Sequence, residues 1–157
     1  MPGGTPWNSE RADEIIRAHQ HLAGAALPIL HALQHEFGYI ERDAVPLIAQ
    51  ALNLSRAEVH GIVSFYHDFR QMAPGRHILK LCRAEACQSM GADALAERAR
   101  DRLRVGWGET TADGRVTLES VFCLGLCACA PAAMLDGGVF GALDDERLDR
   151  LIDEAQR

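Results

Sequence analysis

Cys82-Arg83-Ala84-Glu85-Ala86-Cys87 and, further along the chain, Cys123-Leu124-Gly125-Leu126-Cys127 are the two stretches that decide the fold. We call Cys82 and Cys87 the first cysteine pair, and Cys123 and Cys127 the second cysteine pair. Neither pair has the C-x2-C spacing that is usual for a structural zinc site. Two loops that each offer two thiolates can instead hold a small iron–sulfur cluster, for which four cysteine ligands are the norm. The pattern therefore predicts a chain that moves single electrons.

The same cysteines allow other interpretations. Free cysteine is among the most buried residue types, so the thiols can simply pack in a core. A structural zinc site also needs four donors, although these spacings are unusual for it. A thiol–disulfide reductase needs C-x-x-C where a strand meets a helix, and the sequence lacks that motif. The grouping of the thiols into two tight clusters favours the iron–sulfur hypothesis.

Cys129 is the fifth cysteine and follows Cys127 by two residues. It can in principle replace Cys127 as a ligand. The spacing and the number of thiols favour instead a cysteine that lies beside the cluster without binding it. An odd number of cysteines also argues against a closed disulfide framework.

Composition limits the class of protein. The 157 residues are 48% apolar, which is enough for one ordinary core or two small ones. No apolar run approaches the roughly 18 residues of a membrane span, and the start of the chain lacks the features of a secretory signal. We therefore expect a cytoplasmic protein, in which thiols stay reduced or bind metal. A net charge of -6 disfavours nucleic acid and anionic membranes as partners.

The first half of the chain has the apolar spacing of helices. Residues 1–8 are rich in glycine and proline and are expected to be disordered, whereas residues 9–72 are expected to form a helical bundle that docks on a partner subunit. The predicted helix starts are Asn8 or Ser9, Pro28, Asp43 and the capping box Ser55-Arg56-Ala57-Glu58. Gly38 and Asn53 are the predicted ends of the second and third helices.

Residues 75–157 have a different sequence pattern, in which strands and helices alternate. Short apolar runs at 78–81, 116–122, 132–135 and 139–143 predict strands, and helices are predicted over 91–105 and after Asp144. The order strand, helix, strand, strand, strand, helix resembles a thioredoxin-like α/β domain. Both cysteine pairs lie where predicted strands end, so they can converge at one end of the sheet. The expected fold class is α+β, with a helical bundle followed by a thioredoxin-like domain that carries the cluster.

The helical half offers a competing function. Residues 48–59 read like a helix-turn-helix, which allows a DNA-binding module that is stabilised by zinc or senses redox state. Its second predicted helix, however, has only one arginine, Arg56, and two acidic residues, Glu58 and Asp68. A helix that reads a groove must neutralise phosphates, and this one is slightly acidic. The sequence therefore favours helices that pack on one another or on a partner subunit.

Three further features are expected to have no site function. His31 and His35 are spaced to share a helix face but lack a third metal ligand. Alternate arginines from Arg98 to Arg104 are scattered around a helix, so they are expected to be solvated. Trp107 lies in a glycine-containing loop and is assigned no role.

The cysteine motifs resemble a known family. Cys-Arg-Ala-Glu-Ala-Cys-Gln at 82–88 and Cys-Leu-Gly-Leu-Cys-Ala-Cys-Ala-Pro at 123–131 are similar to the thioredoxin-like 2Fe-2S subunits of NAD-linked oxidoreductases. That family includes subunits of NADH:quinone oxidoreductase and of NAD-reducing hydrogenases. The helical segment from Leu27 to Tyr66 resembles the N-terminal half of the same family. The residues of the cysteine motifs are most similar to those of the gamma subunits of soluble, NAD-dependent, molybdenum-containing formate dehydrogenases.

The resemblance implies one 2Fe-2S cluster as cofactor, with Cys82, Cys87, Cys123 and Cys127 as its ligands. It also implies two partners, which are a flavin subunit that binds FMN and NAD and a molybdenum-containing subunit that oxidises formate. The chain would then be a non-catalytic electron-transfer subunit without activity alone. The corresponding subunit of an NADH:quinone oxidoreductase or an NAD-reducing hydrogenase is the alternative. The sequence contains neither G-x-G-x-x-G nor a P-loop, so NAD is not expected to bind to this chain.

Overall fold

The computed structural model describes residues 4–157. They form two compact units, one ending at Ala73 and the other running from Pro74 to Arg157. Residues 1–8, which were expected to be disordered, lie partly outside the described residues. In the described part of this segment, Trp7 packs against Phe37 with ring centroids 4.9 Å apart. Among the described residues, no helix has both the length and the apolar character needed to cross a membrane.

The first unit consists of helices around an apolar core. In the part of the chain described, its helices are α1 (Ser9–His19), α2 (Ala26–Phe37), α3 (Ala44–Leu52) and α4 (Arg56–Phe65). The side chains with no solvent exposure include Ala12, Ile29, Leu30, Leu33, Ile48 and Val59. Burial of one face is what stabilises helices this short.

The ends of these helices largely follow the sequence signals. Asn8 caps α1 by accepting hydrogen bonds from the N–H groups of Glu10 and Arg11. The predicted capping box is confirmed, because Ser55 Oγ accepts from the Glu58 N–H and Glu58 accepts from the Ser55 N–H. Gly38 and Asn53 end α2 and α3 with positive φ values of 83° and 54°, which these residue types tolerate best.

One predicted helix start and one predicted cap differ from the structure. Helix α2 begins at Ala26, before Pro28, so proline occupies an early position in the first turn rather than the first one. Proline is tolerated there because the first-turn N–H groups have no partner within the helix. Asp43 precedes α3 as expected, but its side chain forms no capping hydrogen bond.

The second unit combines one sheet with helices. Its elements are β1 (His77–Cys82), α5 (Glu85–Ser89), α6 (Ala92–Leu103), β2 (Glu109–Thr110), β3 (Val116–Val121), a 3-10 turn (Cys127–Cys129), β4 (Ala133–Leu135), β5 (Gly138–Phe140) and α7 (Asp145–Ala155). The strand order is β2-β3-β1-β4-β5. Strands β1 and β3 are parallel, and the other neighbours are antiparallel. Helix α5 and strand β2 were not predicted, since each is too short to show a period.

Helices α6 and α7 are joined by charged side chains that the sequence analysis treated as solvated. Arg98 donates to both carboxylate oxygens of Asp149 at 2.9 and 2.6 Å. Arg102 contacts Asp149 at 2.7 Å and Asp153 at 2.7 Å. The hydrogen bonds from Arg98 and then Arg102 hold the pKa of Asp149 far below its usual range. Arg98 and Arg102 lie at the exposed surface as expected, but the sequence did not indicate their ion pairs with α7.

We expect Asp149→Asn to lower the free energy of unfolding at pH 7 by about 1 kcal/mol, because a bridging carboxylate in a network contributes more than an isolated pair. The folded pKa is depressed, so this contribution is present above the unfolded pKa of about 3.9 and is lost as the pH falls towards the folded pKa. Urea unfolding at pH 7 measures the contribution, and a series from pH 5 down to pH 2 follows its loss. Glu146→Gln, which removes the pair with Arg150 within α7, is the control. Equal stability of the two variants at pH 7 would contradict the prediction.

Candidate cluster site

The sheet brings the two cysteine pairs to the same edge. Cys82 is the last residue of β1 and lies opposite Val121, the last residue of the parallel strand β3. Cys123 follows Val121 by two residues. Because parallel strands place their carboxyl ends together, the loops that carry the two pairs begin side by side. This is the convergence that the sequence predicts.

The pairs differ in their exposure to solvent. Cys82 and Cys87 retain 3% and 2% of their surface, whereas Cys123, Cys127 and Cys129 are exposed. Cys87 lies on α5, so a short helix positions this thiol rather than the open loop expected from the sequence. One side of the site is therefore closed by the protein, and the other faces outward.

The Cys82 thiol lies in a cradle of hydrogen-bond donors. Burial by itself raises its pKa, but donation from the backbone N–H groups of Ala84, Cys123 and Leu124 and from the Cys87 thiol outweighs burial. The pKa of Cys82 is therefore lower than the ordinary thiol value. Donors aimed at sulfur stabilise its thiolate, which is the form that binds metal.

The other thiols interact with this one. Burial, followed by hydrogen bonding to Cys82, raises the pKa of Cys87, although the Ala132 N–H donates to its sulfur. Hydrogen bonding to Cys123 is the main cause that raises the pKa of Cys127, and the charge of Cys82 adds to it. Thiols from both pairs therefore influence one another's pKa. A metal bound by these sulfurs would replace their protons and offset the repulsion between neighbouring thiolates.

The second pair is formed by a tightly turned loop. The sulfur atoms of Cys123 and Cys127 are 3.6 Å apart, and the Gly125 N–H donates to Cys123 Sγ at 3.4 Å. Gly125 has a φ of 79°, which glycine adopts at little cost. Cys123 has a φ of 102°, where a side chain costs roughly 1–3 kcal/mol and persists only because its surroundings impose it.

Small and apolar residues surround the thiols. Cys82 and Cys87 pack with the buried Ala92 and Ala132, and the partly buried contacts are Ala84, Val121, Leu124, Leu126 and Ala130. Small side chains let the backbone approach sulfur closely enough for its N–H groups to donate. The same residues limit access of water to the first cysteine pair.

The donor set fits a cluster with two metal atoms. The thiols form two pairs, and a 2Fe-2S cluster takes four thiolates, two on each iron. The paired thiols and the N–H donors around Cys82 and Cys87 therefore fit this group.

Other residues considered in the sequence lie elsewhere. His31 packs against Phe69, with ring centroids 5.1 Å apart, and belongs to the first unit. Trp107 has a role that the sequence did not indicate, because the Arg83 guanidinium lies 5.2 Å from the centre of its ring. The backbone donors Leu124 and Ala132 were also missed, and no side-chain signal could have revealed them.

Comparison with known protein families gives one clear match. Residues 12–156 match the family described as thioredoxin-like 2Fe-2S ferredoxin. One of the subunits of the NADH-quinone oxidoreductase of Mycobacterium tuberculosis strain H37Rv is 35% identical over 142 residues, or 90% of this chain. The HndA protein of the NADP-reducing hydrogenase of Solidesulfovibrio fructosivorans is 30% identical and also covers 90% of this chain.

Solved structures give the same result for the fold. An NAD+-reducing NiFe hydrogenase in the air-oxidized state superposes with a TM-score of 0.70 and 29% identity over 83% of this chain. The expected thioredoxin-like fold with helices and a mixed sheet is thereby confirmed. This chain spans 56% of the length of the mycobacterial relative, 82% of HndA and 22% of the hydrogenase chain.

Proposed function

Because the chain belongs to the thioredoxin-like 2Fe-2S ferredoxin family, we propose that its two cysteine pairs hold the family's 2Fe-2S cluster and that it carries single electrons within an NAD-linked oxidoreductase complex. The observation that carries the proposal is the convergence of two thiol pairs at one sheet edge, with backbone N–H groups directed at the buried sulfurs. We assign Cys82, Cys87, Cys123 and Cys127 as the ligands. Cys129 remains outside the ligand set.

Different residues of the chain have different roles at this site. When bound, the cluster supplies one-electron transfer at a potential set by hydrogen bonds and exposure. The N–H groups of Ala84 and Leu124 stabilise negative charge on the Cys82 sulfur. The buried first pair excludes water, whereas the exposed second pair leaves one face open to the redox group of a partner. Electrons would then enter and leave a bound cluster on the side of the second pair, which is exposed.

Formate is the proposed electron donor of the complex. The residues of the two cysteine motifs support it, because they resemble those of the gamma subunits of molybdenum-containing formate dehydrogenases. The partners would be a subunit that binds FMN and NAD and a molybdenum-containing subunit that converts formate to carbon dioxide. This chain would be a non-catalytic subunit of that oxidoreductase, located in the cytoplasm.

A second assignment has support from the relatives. Their names are those of an NADH-quinone oxidoreductase subunit and an NADP-reducing hydrogenase subunit. The corresponding 2Fe-2S subunit of such a complex is therefore the alternative. The cluster site and its one-electron role are the same in both assignments, so only the partners and the ultimate electron donor differ.

The helical unit, residues 9–72, is proposed as the part that docks on the flavin subunit. Phe65 and Met72 keep 73% and 75% of their surface exposed, and Tyr66 is also exposed. The rings of Phe65 and Tyr66 are in edge-to-face contact, with centroids 5.1 Å apart. Aromatic residues and methionine are enriched at protein interfaces. We call Phe65, Tyr66 and Met72 the aromatic surface.

The proposed function is tested on the anaerobically purified protein. We expect about two irons and two acid-labile sulfides per chain, and a rhombic S = 1/2 EPR signal after reduction with dithionite. Bound zinc without an iron signal would contradict the electron-transfer function. The tagged chain isolated with its native partners then identifies the complex. Iron–sulfur EPR signals that appear when formate is added support the first assignment. Signals that appear with hydrogen, or with NADH but not with formate, support the second.

A further inference from the structure

The turn that carries Cys127 is held from outside by the loop between β5 and α7. We call residues 141–144 of this loop the clamp. The Ala142 N–H donates to the Cys129 carbonyl at 2.5 Å, and the Leu143 N–H donates to the Pro131 carbonyl at 3.0 Å. Within the turn, the Cys129 N–H donates to the Leu126 carbonyl at 2.9 Å. The clamp therefore fixes the backbone immediately after Cys127 at two points.

Gly141 makes this close approach possible. A Cβ atom at Gly141 would lie 2.9 Å from the Cys129 carbonyl oxygen and 3.0 Å from Cys129 Cβ. These atoms belong to the backbone or lie next to it, so they cannot rotate away as the end of a long side chain can. Even one methyl group at this position has to push the clamp and the turn apart. The φ of Gly141 is not positive, so the requirement for glycine here is steric.

The clamp is itself anchored to α7. Arg147 Nη1 donates to the carbonyls of Gly141 and Ala142 at 3.1 and 3.0 Å. The Arg147 N–H is accepted by Asp144, the capping residue of α7, at 2.8 Å. Leu143, inside the clamp, is buried in the core of the second unit. These contacts tie the turn to a helix and to the core.

We infer that Gly141 and Arg147 are positioning residues for the cluster, because they hold the Cys127 turn at the distance that the second cysteine pair requires. Both act through the backbone of the turn and of the clamp. The inference rests on the proposed ligand role of Cys127. The exposed pair has little other protein around it, whereas the first pair is enclosed by the fold. Loosening the clamp should therefore open the cluster site on its exposed side.

The test uses Gly141→Ala and Arg147→Met in the full chain, purified anaerobically. Two controls match them. Gly61→Ala adds the same methyl group at a helical position where the described chain places no atom of another element within 4 Å, and Arg150→Met removes an arginine of α7 whose ion-pair partner is Glu146 on the same helix. Three quantities are measured on each protein: the rate of iron loss to an excess of chelator, the midpoint potential of the cluster, and the urea midpoint of unfolding.

We expect Gly141→Ala to lose iron about 10 to 100 times faster than the unmodified chain, as is typical when a residue that supports metal ligands is removed. Arg147→Met should change the rate in the same direction but less, with a shifted potential and a nearly unchanged urea midpoint. Both controls should lose iron at the rate of the unmodified chain and keep its midpoint potential. If Gly141→Ala does not fold, Arg147→Met and its control decide alone.

The inference would be overturned if Gly141→Ala left the rate of iron loss and the midpoint potential unchanged. Where that variant does not fold, unchanged values in Arg147→Met would overturn it. Failure of the ligand assignment is a separate result, because it requires a Cys127→Ser chain that keeps its full iron content. An equal rise in iron loss for Arg147→Met and Arg150→Met would also count against the clamp, since it would point to a general effect on α7.

Discussion

Replacing Cys82, Cys87, Cys123 or Cys127 singly by serine is expected to remove most of the cluster from the chain. A serine oxygen is a harder and less acidic donor than a thiol, and soft thiolates are the ligands that iron–sulfur clusters select. At Cys82 the change also places a neutral hydroxyl, instead of a thiolate, among the N–H donors of Ala84 and Leu124. Iron and acid-labile sulfide per chain, measured after anaerobic purification, should fall by about tenfold or more.

Cys129→Ser is the matched control for these variants. Cys129 lies in the same 3-10 turn as Cys127 and is also exposed, so its replacement makes a similar change without removing a proposed ligand. We expect it to keep the iron content of the unmodified chain. Full iron in Cys127→Ser together with loss in Cys129→Ser would reverse the assignment of the fourth ligand. Full iron in all the single variants would contradict the proposed site.

The convergence of the two cysteine pairs could be predicted from the sequence because it depends on which residues end strands. Cys82 ends a run of apolar residues and Cys123 follows another, so parallel pairing of the two strands was enough to bring them together. The cradle around the sulfurs could not be predicted. It consists of backbone N–H groups, such as that of Ala132, whose direction depends on how a loop returns to the sheet. Nor does sequence reveal the positive φ of Cys123.

For the fold, local signals were reliable where short-range chemistry decides. The capping box at Ser55 and the end of α3 at Asn53 both depend on hydrogen bonds within a few residues. Pairings between distant residues could not be predicted. The ion pair of Arg98 with Asp149 joins residues that are 51 positions apart on two different helices. A single sequence does not show which faces of two helices meet.

Phe65→Asp is expected to weaken binding of the chain to the proposed flavin subunit by about 30-fold or more, while the iron content stays unchanged. A central aromatic side chain in an interface typically contributes at least about 2 kcal/mol, and a buried carboxylate without a partner adds a cost. The side chain is 73% exposed in the free chain, so the fold should lose little more than the ring contact with Tyr66. Titration of the purified flavin subunit with each variant measures the Kd.

The design of this experiment separates the aromatic surface from general charge effects. Leu22→Asp introduces the same charge at another exposed apolar residue of the helical unit and is expected to bind nearly normally. Met72→Asp should resemble Phe65→Asp, because Met72 belongs to the proposed surface. Wild-type affinity in both Phe65→Asp and Met72→Asp would remove the aromatic surface from the interface. Equal losses in all the variants would show that added negative charge opposes binding, since the chain already carries a net charge of -6.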